Sequence, residues 1–98
     1  MKVLRVERAV EPCLEAGFVG YYFYLEKSID ADFVESLATL GVLTFLRTLK
    51  KPFFIVHGKN FVVRGQQGDD FCKAGIAGND RSVLESLCEK LEKLQGGE

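Results

Sequence analysis

Residues 18–26, Phe-Val-Gly-Tyr-Tyr-Phe-Tyr-Leu-Glu, carry aromatic or β-branched side chains at odd and even positions alike. A run with apolar bulk on both sides does not suit a solvent-facing edge, and it predicts an interior strand covered on both faces. Successive side chains of a strand alternate, so Tyr22 and Tyr24 point one way while Tyr21 and Phe23 point the other.

Such a strand needs neighbours, and the chain offers them. Residues 2–10 place Leu4, Val6 and Val10 on one side and Arg5, Glu7 and Ala9 on the other, the period of a half-buried strand. Glu11-Pro12 ends it, because proline cannot donate to a strand ladder. Residues 11–17, with Pro12 and Gly17, then form a long hairpin connection. Residues 53–57 and 60–65 flank a turn over His57-Gly58-Lys59-Asn60, whose residues accept positive φ. A polar loop, residues 65–70, leads into a last, weaker strand at 71–77.

Two helices complete the pattern. The first starts at Ser28 or Asp30, either of which caps exposed N–H groups, and Phe33, Val34, Leu37 and Ala38 recur at helical spacing. Its end has two readings. Gly41 can close it, leaving residues 42–49 as a strand. Alternatively the row Phe33, Leu37, Gly41, Phe45 and Leu49 carries the helix on to Lys50-Lys51-Pro52. An interior glycine costs only about 1 kcal/mol against alanine, and the long helix is the favoured expectation. The second helix is capped by Asn79, Asp80 or Ser82, with Ser82 and Glu85 spaced for a capping box. Val83, Leu84, Leu87, Cys88, Leu91 and Leu94 form its apolar stripe, and Gly96-Gly97 ends it.

At 98 residues, 47% hydrophobic and 28% charged, the chain suits one domain with a genuine core. The expected fold is a single α+β domain over residues 1–98. It has an antiparallel sheet of about five strands with two helices packed on one face, in the order β-β-α-β-β-β-α. An extra strand follows the first helix if that helix is short.

Several chemistries are disfavoured. Cys13, Cys72 and Cys88 are odd in number, widely spaced and without a CxxC pair, which argues against a disulfide framework or a zinc site and for a reducing compartment. No metal and no cofactor are expected. Asp69-Asp70 and Asn79-Asp80 lack calcium-loop spacing, and Gly65-Gln66-Gln67-Gly68 lacks the lysine and helix of a phosphate loop. No stretch approaches the ~20 apolar residues of a membrane span, and Met1-Lys2-Val3-Leu4-Arg5 has no apolar signal region. The expected location is cytoplasmic. The one catalytic constellation is Cys72 with His57 and Asp69 or Asp70, a thiol-enzyme reading set against the plainer one of a packed cysteine and a turn histidine.

Charge supplies the sharpest local feature. Residues 47–64 hold Arg47, Lys50, Lys51, Lys59 and Arg64 and no acid, while acids outnumber bases on both sides. With Phe53, Phe54 and Phe61 interleaved, the segment is a candidate for RNA or another anionic ligand. The plainer reading is a hairpin whose cations guard a sheet edge against aggregation. The aromatic run raises a second possibility, because a pair left on the face away from the helices needs a cover or a partner. The expectation is therefore a non-enzymatic protein-interaction module, a homodimer through its sheet or an edge strand. Its candidate surface comprises Tyr22, Tyr24, Arg47, Lys50, Lys51, Lys59 and Arg64. A nucleic-acid or anionic-ligand binder using residues 47–64 is the alternative, and a thiol-dependent enzyme at Cys72 a distant third.

Overall fold

Six runs rich in Val, Ile, Phe and Tyr become strands in the computed structural model, which describes residues 1–11 and 16–94. They are β1 (Val3–Arg8), β2 (Phe18–Leu25), β3 (Val42–Leu46), β4 (Phe53–His57), β5 (Phe61–Gln66) and β6 (Phe71–Ala77). All pair antiparallel in one sheet of order β1-β2-β6-β5-β4-β3, so β1 and β3 are its edges. Helix α1 (Ala31–Ser36) links β2 to β3, and α2 (Arg81–Glu92) follows β6. The radius of gyration, 12.3 Å, is that of one compact domain of this length.

Two expectations need correction. The sheet has six strands, not about five, and the first helix does not run to Lys50. It yields at Leu37 to a single 3-10 turn, Leu37–Thr39, and Val42–Leu46 pairs along its whole length with β4. The order is therefore β-β-α-β-β-β-β-α, the reading with the extra strand. The apolar row that suggested a long helix also satisfies a period of two, with Leu43 and Phe45 packed on the core and Val42, Thr44 and Leu46 exposed. The tie is broken by Gly41, where the backbone passes directly against that of His57.

The helix starts follow the local signals. Asp30 caps α1, accepting from the Phe33 N–H at 2.8 Å, and Asp80 caps α2, accepting from the Ser82 N–H at 2.9 Å. Ser82 donates its hydroxyl to the same Asp80 oxygen, so it supports the cap instead of forming a box with Glu85. That hydrogen bonding also lowers the Asp80 pKa. The glycines expected to stop α2 lie outside the described residues.

One cluster forms the core. Phe23, Leu25, Phe54, Val56, Phe61, Val63, Cys72, Ala74 and Ile76, alternate residues of β2, β4, β5 and β6, are buried together. Phe33, Val34 and Leu37 join them from α1 and its 3-10 turn, and Leu87 and Leu91 from α2. In β1 a bulge between Val3 and Arg5 shifts the register, so that Val3 packs on the core and Leu4 is left 60% exposed. The expected alternation there, with Leu4 facing inward, is thereby changed.

Candidate functional site

The residues between the core positions make the second face of the sheet. Register carries one unbroken row across it: Glu7, Tyr22, Lys73, Arg64, Ile55 and Thr44, each directly opposite the next on the adjacent strand. Beside that row Arg5 faces Tyr24 and Tyr24 faces Phe71, while at the far end Leu46 faces Phe53. On this face Val62 is buried, at 5% exposure, yet it does not belong to the core cluster.

Three rings gather on the central strands. Tyr22, Tyr24 and Phe71 have centroids 6.1 to 6.4 Å apart, with the Tyr22–Phe71 pair edge to face. Those separations fall in the favourable range for aromatic pairs. Cations lie over two of the rings, the Arg5 guanidinium 4.3 Å from the Tyr24 centroid and the Lys73 ammonium 5.7 Å from that of Tyr22. Acids balance part of this charge. Glu7 pairs with Arg5 at 2.7 Å, and Glu11 lies 3.4 Å from Lys73 while accepting a hydrogen bond from the Tyr22 hydroxyl. The bond to Tyr22, with Lys73 adding to it, draws the Glu11 pKa down, and the same bond holds the phenol's pKa up. The result is a mixed surface of Tyr, Phe and Arg with polar neighbours.

The structure brings Tyr22, Tyr24 and Arg64 together on this face and disperses the other four candidates. Arg47 turns to the core side, over the Phe45 ring at 4.7 Å and paired with Glu35 of α1. Lys50 and Lys51 occupy the turn between β3 and β4, where Lys51 pairs with Asp69. Lys59 lies at the opposite end of β4, beside a shallow cleft that it shares with Ser82, Ser86 and Lys90 of α2. The two ends of that strand are about 13 Å apart at the usual rise per residue. The acid-free segment 47–64 is therefore contiguous in sequence but not on the surface. Arg5, Phe71 and Lys73 were not among the sequence candidates, because pairing of β1, β2 and β6 assembles them from distant parts of the chain.

The thiol constellation does not assemble. Cys72 is fully buried on the core side between its partner Phe23 and the β5 residue Gly65, and burial pushes its thiol up to about 12. His57 is exposed, alternates with the core residues Phe54 and Val56, and so belongs to the second face two strands away. A neutral thiol and a histidine across the sheet cannot act as nucleophile and base. Cys88 is a free thiol half-buried on α2, its pKa raised by burial and then by Glu92 and Glu89, and Cys13 lies outside the described residues.

Among the described residues, no three His, Cys, Asp or Glu side chains gather closely enough to hold a metal ion, and no helix is long and apolar enough to cross a membrane. The edges differ as well. On β1 the bulge at Leu4, the Arg5–Glu7 pair and Arg8 interrupt the strand, devices that deter pairing with another chain. β3 has no charge, no proline and no bulge, and its Val42 and Leu46 are 72% and 46% exposed. No family model matches this chain, and no match is found among curated proteins or among solved structures.

Proposed function

We propose that this chain is a non-enzymatic protein-interaction module that acts as a homodimer in the cytoplasm, with the second face of its sheet as the docking surface for another protein. The observation that carries the reading is the Tyr22–Tyr24–Phe71 cluster with Arg5 and Lys73 above its rings. Both helices contribute to the core cluster, and we infer that both lie over that side of the sheet, leaving the aromatic side without a helix over it among the described residues. Tyr, Phe and Arg are the residue types enriched at the centres of protein interfaces, where few contacts supply most of the affinity. The unguarded β3 edge and the unpaired thiols of Cys72 and Cys88 accord with a self-associating protein of a reducing compartment.

The test has two arms. Sedimentation equilibrium should give twice the chain mass. Tyr24→Ala and Phe71→Ala, introduced together, should lower the chain's own unfolding free energy by no more than about 1–2 kcal/mol, the scale of exposed cross-strand pairs. A monomer at all concentrations, or a loss on the scale of a core truncation, would remove the reading, the latter because the rings would then be serving the monomer.

A further inference from the structure

We infer that a second copy of this chain pairs with edge strand β3, antiparallel, with Thr44 on the two-fold axis, so that two six-stranded sheets join into one of twelve. The inference rests on the homodimer reading and specifies its contact. Thr44 is the middle residue of Val42–Leu46, and rotation about it returns the strand onto itself. Thr44 then faces Thr44 of the partner subunit, Leu43 faces Phe45 of the partner subunit, and Val42 faces Leu46 of the partner subunit. These are hydroxyl–hydroxyl and apolar pairs, the combinations that stabilise adjacent strands.

Charge does not oppose this register. β3 itself carries none, and Arg47, the first charged residue beyond it, falls opposite Gly41 of the partner subunit and not opposite another cation. Hydrogen bonding is met in either phase. Residues 43 and 45 exchange main-chain bonds if their N–H and C=O groups point outward, and residues 42, 44 and 46 do so if theirs do. The most exposed apolar side chains of the edge, Val42 and Leu46, become each other's cover. The alternative edge offers no such fit. In β1, Arg5, Glu7 and Arg8 interrupt the apolar residues, and the bulge at Leu4 breaks the flat strand a partner would need.

Site-specific cross-linking tests the register. In a Cys13→Ser, Cys88→Ser background, with Cys72 buried, a cysteine replaces one edge residue at a time and a short-span thiol cross-linker is added. Thr44→Cys should convert most of the protein to covalent dimer, since facing Cβ atoms lie about 5 Å apart. Val42→Cys alone should cross-link poorly, being offset from its own copy by about 13 Å along the strand. An equimolar mixture of Val42→Cys and Leu46→Cys should cross-link as well as Thr44→Cys. Leu4→Cys, on the other edge, should stay uncoupled. In a separate arm, Thr44→Lys should weaken association at least tenfold while the urea midpoint of the monomer is retained.

A sedimenting dimer that does not couple at position 44, or that couples through Leu4→Cys, overturns the β3 pairing and leaves the homodimer reading standing. A protein that sediments as a monomer at every concentration overturns both.

Discussion

Gly41 lies so close to His57 that a Cβ added to it would fall 2.3 Å from the His57 carbonyl oxygen. The obstructing atom belongs to the backbone of a paired strand and cannot swing aside. Gly41→Ala should therefore lower stability by about 1–3 kcal/mol, the usual cost of forcing extra bulk into a packed site. Urea unfolding measures it as a lower midpoint at unchanged slope. A midpoint unchanged within error would mean that the chain does not pass His57 in this way.

Leu87 and Leu91 are sealed into the core while Leu84 is only partly buried. Leu87→Ala should cost about 2–5 kcal/mol, a large share of a small domain's stability. Leu84→Ala should cost less. Equal losses at the two positions would show that α2 is seated with a different face against the sheet.

Burial holds the Cys72 thiol neutral, raising it from 9.0 to about 12. The folded state disfavours the thiolate that the unfolded chain forms readily. The resulting contribution to stability is complete below pH 9 and is lost as pH rises from there toward 12. The urea midpoint of the native protein should therefore fall more steeply above pH 9 than that of Cys72→Ala, in which this titration is absent. Parallel profiles for the two proteins would contradict the burial. In the same way, Cys72 should resist alkylation at neutral pH until denaturant is added.

The cations of residues 47–64 face several directions, and two of them, Arg47 and Lys51, already have carboxylate partners. A mixed-sequence single strand at low ionic strength should accordingly bind more weakly than micromolar. Replacing Lys50, Lys51 and Lys59 with glutamine should change that affinity less than it raises aggregation, since lysines flanking strands deter edge-to-edge growth. Micromolar binding with a steep salt dependence, abolished by the three substitutions, would instead establish a polyanion site through counterion release.

Much of this architecture is legible in the sequence wherever the signal is local. The caps at Asp30 and Asp80, the hairpin around Gly58 and the opposed directions of Tyr22 and Phe23 each follow from a few adjacent residues. The region from Gly41 to Leu49 is not legible in that way. Leu37, Phe45 and Leu49 fit a helical row and Leu43 and Phe45 fit a strand, so local spacing gives two answers. What decides between them is contact with His57, sixteen positions beyond Gly41.

The candidate surface divides along the same line. Tyr22 and Tyr24 announce themselves as neighbours in a run, whereas Phe71 and Arg5 join them only through strand pairing. The cluster of positive residues in the sequence misleads for the converse reason. A hairpin sends adjacent residues to opposite faces and opposite ends, so closeness along the chain does not become closeness on the surface.

The inequality of the two edges has a consequence for how far assembly can go. A strand edge is consumed when it is paired. Once two β3 strands have met, the outermost strand on either side of the joined sheet is β1, with its bulge and its charges. A chain with two bare edges would polymerise into a fibril, and one with two guarded edges would remain solitary. One of each permits a single round of growth and then caps the product at both ends.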